Sequence, residues 1–152
     1  MIKKEHEFIL NAVLIEKNAE EINYINKALD KQIDWIEVVG IAMNHRLGGY
    51  FYNGLTKEQR TKIPRELKKN IEMLVYGQAV NQEKMYKYIN ELNDILENCN
   101  IRYAGLKGII YGACLYTKGT RRSNDMDLLV HEEDLEQLDA ILSSAGYIQA
   151  KK

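Results

Sequence analysis

NDMDLLV, residues 124–130, is an apolar run of strand length that opens with two aspartates. Because side chains alternate along a β-strand, Asp125 and Asp127 are expected to point to the same face. The opposite face then belongs to the apolar side chains of the run, which are Met126, Leu128 and Val130. The stretch therefore predicts a strand that packs under a helix and carries two carboxylates at its start.

Two neighbouring carboxylates repel each other unless a cation lies between them. Hard oxygen ligands of this kind suit Mg²⁺ or Mn²⁺. The alternative interpretation is a solvated strand entry in which Asp125 only caps the turn. An Asp-x-Asp pair does not decide between these two interpretations, so the surrounding sequence has to.

Upstream, Gly105-Leu-Lys-Gly108 lies where a predicted strand ends and a helix begins. A glycine at such a turn lets backbone N–H groups approach a phosphate, and Lys107 adds a positive charge. Arg121 and Ser123 lie a few residues before the aspartates. The alternative is an ordinary turn with a surface lysine, and a loop arginine that pairs with one of the aspartates.

Residues up to about 98 are predicted to be helical, because apolar side chains recur there at three- and four-residue steps. Asp34 is a predicted N-cap for a helix over 35–47 that ends at Gly48-Gly49. The sequence TKEQ at 56–59 has the form of a capping box. This part of the chain therefore predicts an all-helical lobe.

After residue 98 the period changes and strands alternate with helices. The predicted elements are a strand at 101–105, a helix at 108–116, a polar loop at 117–124, a strand at 126–130, a helix at 131–145 and a third strand starting at 147–150. The fold class is therefore a helix-rich α+β protein, with a helical lobe at 1–98 and a small β-α-β-α-β portion at 99–152. This portion is short for a complete sheet, and its truncation is one of the alternatives left open.

Composition describes a globular chain of 152 residues, with 45% apolar residues and 21 basic against 22 acidic side chains. Because the net charge is −1, the protein has no overall positive field that would attract nucleic acid or an anionic membrane. Cys99 and Cys114 are expected to be free thiols. The longest weakly charged stretch, 105–116, is too short to cross a bilayer, so a cytoplasmic protein is expected.

One set of residues carries a resemblance to a known family. LKG at 106–108, Tyr116, Gly119, Arg121, DMDLLV at 125–130 and Gly146-Tyr147 resemble the uncharacterised bacterial nucleotidyltransferase family, of the polymerase-beta-type nucleotidyltransferase superfamily. The resemblance implies a nucleotidyltransferase sheet behind the helical lobe. It also implies transfer of a nucleoside monophosphate from an NTP to an unidentified acceptor, which could be a small molecule, a protein or RNA.

The same resemblance implies roles for individual residues. Asp125 and Asp127 would be the catalytic residues and would hold Mg²⁺ (or Mn²⁺). The nucleotide would be bound by the glycine-rich turn and the following loop, through Gly105, Lys107, Gly108, Arg121 and Ser123.

Two departures from the family pattern leave alternatives open. Ile109 follows Gly108 where the superfamily usually has a small residue, and the last acidic residue is Asp139, so the usual third carboxylate on a later strand is missing. A longer chain or a protein partner would have to supply it. The alternatives are a catalytically incomplete nucleotide-binding or protein-interaction module, or a toxin-type nucleotidyltransferase of a toxin–antitoxin pair.

Overall fold

The computed structural model describes residues 2–149, without the side chain of Ile109. Before the first strand the helices are α1 (Lys4–Ala12), α2 (Ala19–Leu29), α3 (Trp35–Asn44), α4 (Gly48–Gly54), α5 (Lys57–Arg60) and α6 (Arg65–Asn98). They are followed by β1 (Tyr103–Leu106), α7 (Gly108–Cys114), β2 (Asp127–Val130), a short 3₁₀ turn (Glu132–Asp134) and α8 (Leu135–Ser144). The predicted helix-rich α+β class is confirmed.

The chain forms two compact units. One, which we call the helical unit, contains the residues up to Gln82 together with Tyr116–Arg122. The other, the strand unit, contains Glu83–Leu115 and the residues from Ser123 onward. The predicted boundary after residue 98 stays a prediction, and α6 contributes residues to both units.

Local capping signals in the helical unit act as the sequence predicts. The Asp34 carboxylate accepts hydrogen bonds from the backbone N–H groups of Ile36 and Glu37, both at 3.0 Å. Thr56 and Gln59 form a reciprocal capping box at the start of α5. These side chains satisfy N–H groups that have no partner within the helix, so they fix where α3 and α5 begin.

The end of α3 differs from the prediction. The helix stops at Asn44 rather than at residue 47, because Arg46 adopts a left-handed conformation with φ of 59°. The N–H of Leu47 then donates to the carbonyl of Ala42 at 2.7 Å, which closes a Schellman motif. Gly48 therefore begins α4 instead of ending α3.

A cluster of buried apolar side chains holds the helical unit together. Phe8 and Phe51 are fully buried, and their ring centroids lie 6.1 Å apart in an edge-to-face arrangement. The Trp35 ring meets Phe8 at the same centroid distance, 6.1 Å. Aromatic pairs of this geometry add stabilisation beyond the area that they bury.

Residues 117–122 form a loop, as predicted, whereas the helix predicted to reach residue 116 ends at Cys114. The segment 116–122 belongs to the helical unit. The Gly119 N–H donates to the Gln82 side-chain oxygen at 3.1 Å, and the buried Thr120 hydroxyl accepts from the Asn53 amide at 2.7 Å. A Cβ at Gly49 would collide with the carbonyl oxygens of Gly119 and Thr120. Because the two backbones approach this closely, residue 49 has no room for a side chain.

In the strand unit, β1 and β2 form an antiparallel pair in which Leu106 lies opposite Asp127. One face packs on a core of Leu92, Leu96 and Ile101. Leu128 and Val130 contact this core, which confirms the predicted inward face for these two residues, whereas Met126 precedes the strand.

The other face of β2 is open, with Leu129 59% exposed. The prediction of a third strand starting at 147–150 is wrong for the described part: residues 147–149, beyond α8, form no strand, and Ala150 lies outside the described residues. Cys99 and Cys114 are free, as predicted. Among the helices of residues 2–149, none is both long and apolar enough to span a membrane.

Gly119 provides a test of the packed segment. At φ of 79°, a Cβ on residue 119 would lie 2.6 Å from the carbonyl oxygen of Val75. We expect Gly119→Ala to lower the free energy of unfolding by roughly 2–3 kcal/mol, from backbone strain and the steric clash together. Urea denaturation measures the change.

Gly77→Ala is the matched control. Gly77 lies within α6, where a Cβ would meet nothing within 4 Å. This substitution should raise the free energy of unfolding by about 0.5–1 kcal/mol, since alanine is the better helix former. Equal effects of the two substitutions would contradict the close backbone approach at Gly119.

Candidate functional site

The strand pairing brings two of the predicted site residues together. Leu106 lies opposite Asp127, and Lys107 follows Leu106 directly. The Lys107 ammonium lies 3.5 Å from the Oδ2 atom of Asp127. The lysine side chain is 71% exposed and the aspartate side chain 45% exposed, so both remain accessible to a ligand.

The backbone of Lys107 is strained, which the sequence does not show. Its φ and ψ are 49° and −112°, a region that glycine adopts freely and other residues avoid. Holding a non-glycine residue in such a region costs on the order of 1–3 kcal/mol. This conformation turns the chain sharply between the end of β1 and the start of α7 at the next residue, Gly108.

Asp125 lies just before β2. The strand begins at Asp127, so the alternation of side chains along a strand does not fix the direction of the Asp125 side chain. Asp125 is exposed, and the Ser123 hydroxyl lies 3.5 Å from its backbone carbonyl oxygen. Ser123 therefore contacts the backbone of the segment that carries the first aspartate.

The two glycines of the predicted turn have different surroundings. Gly105 lies within β1, opposite Leu128, and a Cβ there would be 3.3 Å from the Cδ1 atom of Ile110 on α7. Its small size thus lets the first turn of α7 pack against β1. Gly108 is half-buried as the first residue of α7.

Arg121 belongs to the helical unit, whereas the other predicted site residues belong to the strand unit. Its guanidinium lies 5.9 Å from the centre of the Tyr116 ring, within cation–π range. Tyr116 in turn meets Tyr50 edge to face, with ring centroids 5.3 Å apart. Burial raises the pKa of the Tyr50 hydroxyl, and the neighbouring Tyr116 adds to the increase.

The tyrosine contacts of Arg121 were not predicted from the sequence. Tyr50 and Tyr116 are 66 positions apart in the chain, so no local sequence pattern links them. The chain has ten tyrosines, and their positions in the sequence do not single out this pair. Tyr116 and Arg121 are both residues of the family motif, and this contact shows that they are also neighbours in the structure.

The acidic side chains bear on which kind of metal site the protein could form, a closed one made of protein ligands alone or an open one completed by water and phosphates. Among residues 2–149, no three His, Cys, Asp or Glu side chains lie close enough together to hold an ion. A closed, all-protein site is therefore not formed by these residues. Mg²⁺, however, usually binds through one or two carboxylates together with water and substrate phosphates. Asp125 and Asp127 are carboxylates of the type through which such an ion binds.

Comparison with known proteins agrees with these features. The model of a family described as uncharacterised nucleotidyltransferase matches residues 31–152, which include every predicted site residue. The chain belongs to this nucleotidyltransferase family. Neither the curated proteins nor the solved structures yield a match. A bacterial origin and the polymerase-beta-type superfamily remain predictions.

Replacing Lys107 tests the strain at the turn. Lys107→Gly removes the cost of the left-handed backbone, whereas Lys107→Ala removes the same ion pair and retains a Cβ. We expect the glycine variant to unfold with a free energy about 1–2 kcal/mol higher than that of the alanine variant. Urea denaturation of the two variants side by side provides the comparison; equal stabilities would show that the turn is relaxed.

Proposed function

We propose that this protein transfers a nucleoside monophosphate from a nucleoside triphosphate to an acceptor hydroxyl, with Mg²⁺ bound at Asp125 and Asp127. The observation that carries the proposal is the 3.5 Å approach of the Lys107 ammonium to the Asp127 carboxylate. It places a cation suited to phosphate beside an oxygen ligand suited to a metal ion. Membership of a nucleotidyltransferase family supports the same chemistry.

The two aspartates would act as ligands that share the ion with the nucleotide. Mg²⁺ or Mn²⁺, when bound, would orient the phosphates and neutralise the charge that develops on them. The exposed position of Asp125 and the 45% exposure of the Asp127 side chain leave room for phosphate oxygens and water in the remaining coordination positions.

The turn that follows β1 would bind the triphosphate. The Lys107 side chain is 71% exposed and able to move from Asp127 to a phosphate oxygen. Gly108 adds no side chain beside it. We include Gly105 and Ser123 of the strand unit in the proposed nucleotide-binding set, Gly105 through the packing that positions the turn. The nucleotide-binding role of Arg121, which belongs to the helical unit, stays a prediction.

The proposed reaction is a simple displacement at phosphorus. An acceptor oxygen forms a bond to the α-phosphorus, the bond from that phosphorus to the β-phosphate oxygen breaks, and pyrophosphate leaves. The hydroxyl proton of the acceptor passes to water. The acceptor can be a small molecule, a protein or RNA, and nothing in the described residues selects among them.

A second candidate is a nucleotide-binding module without catalysis, which could also bind a protein partner. The observation that favours it is that no three His, Cys, Asp or Glu side chains within residues 2–149 lie close enough together to hold a metal ion. Such a module would bind an NTP and leave it intact. The two candidates differ in turnover and not in binding.

Labelled nucleotides test the enzymatic proposal. The protein is incubated with Mg²⁺ and each NTP labelled at the α-phosphate, and label is followed into total protein, total RNA and small molecules. We expect transfer of the α-label and none of the γ-label. Asp125→Asn with Asp127→Asn should reduce transfer by at least about 100-fold, since changes merely to groups that support a metal ligand already cost 10- to 100-fold.

Asp139→Asn is the matched control. Asp139 is an exposed aspartate on α8 of the strand unit, and its replacement makes the same chemical change outside the proposed site. Transfer should persist in this variant. Transfer that survives the double substitution would contradict the proposed roles of Asp125 and Asp127, and NTP binding without transfer would favour the binding module.

A further inference from the structure

The contact between Lys107 and Asp127 has a consequence for when a metal ion can bind. The ammonium lies 3.5 Å from Oδ2 of the carboxylate that the proposed function assigns to the metal. A divalent cation at the same carboxylate would meet the positive charge of the lysine at close range. Since like charges at this separation repel, the ammonium and the metal compete for Asp127.

We propose that Lys107 takes the place of the divalent cation at Asp127 until a nucleoside triphosphate draws the lysine to its phosphates. The proposal rests on the proposed function, because it takes Asp127 as a metal ligand. It adds that the metal ion and the nucleotide bind together, and that the metal ion alone binds weakly.

The exposure of the pair makes the exchange feasible. An ion pair between exposed side chains contributes little to stability, because water screens it and both side chains lose freedom. The side chains of Lys107 and Asp127 are 71% and 45% exposed, so their contact breaks at small cost. A triphosphate offers the ammonium several charged oxygens in place of one carboxylate.

The backbone keeps the lysine near the aspartate. The pairing of Leu106 with Asp127 fixes the position from which residue 107 leaves the strand. The left-handed φ of 49° at Lys107 turns the chain into α7 at the next residue. Glycine would adopt this conformation without strain. A lysine at this position supplies the ammonium group, and the backbone is strained as a result.

Binding of Mn²⁺ alone tests the proposal. The full chain is titrated with Mn²⁺ without nucleotide, and free Mn²⁺ is measured by electron paramagnetic resonance. We expect Lys107→Met to bind Mn²⁺ about threefold to tenfold more tightly than the unchanged protein, because the competing charge is gone. Lys107→Gly should show the same gain, which guards against a folding defect in either variant.

A second titration uses inorganic triphosphate in the presence of a chelator. Lys107→Met should bind triphosphate about tenfold more weakly, because a charged hydrogen-bond donor is lost. The two expected effects have opposite signs, whereas a variant with a damaged fold would lose affinity for both ligands. Unchanged triphosphate binding would overturn the proposed movement of the lysine.

Two further variants separate the possible failures. Lys87→Met removes an exposed lysine of the strand unit and makes the same change in net charge, so both affinities should stay as they are. Asp127→Asn should weaken Mn²⁺ binding at least tenfold. If Asp127→Asn lowers Mn²⁺ affinity and the Lys107 variants do not raise it, the competition is wrong and the metal site stands. If Asp127→Asn has no effect, the metal role of Asp127 fails as well.

Discussion

The antiparallel pairing of β1 with β2 is the constraint on which the candidate site depends. Its register sets Leu106 opposite Asp127, and Lys107 then leaves the strand beside the aspartate. A shift of one residue would send Leu128 and Val130 to the open face and remove them from the core that they cover. The buried face thus secures the register, and the register secures the contact between the ammonium and the carboxylate.

Glycines control close approach in both units, through different neighbours. In the helical unit, Gly49 and Gly119 let two stretches of backbone meet, and polar side chains such as Gln82 complete the contact. In the strand unit, Gly105 makes room for Ile110 of α7. Motif glycines that are expected to approach a phosphate can therefore also serve packing within the protein.

Capping residues and apolar periodicity predict much of the fold, because they act between residues close in the chain. Contacts between residues distant in the chain were not predicted. Asp34 shows its capping role in the sequence because its partners lie two and three residues away. The left-handed conformations of Arg46 and Lys107 carry no such signal, since neither residue type prefers that region. For the site, the motif predicted the residue types, but the approach of Lys107 to Asp127 follows from a strand register that periodicity alone does not specify.

The interleaved order of the two units limits how the protein can be divided. The helical unit takes Tyr116–Arg122 from between two stretches of the strand unit, and α6 supplies Leu92 and Leu96 to the core under the strands. No single break in the chain separates one unit from the other without removing part of one of them. A fragment starting at residue 99 would lack Leu92 and Leu96, so expression of the motif region alone would leave Ile101 as the one fully retained buried residue, within the described part of the chain, of the core under the strands.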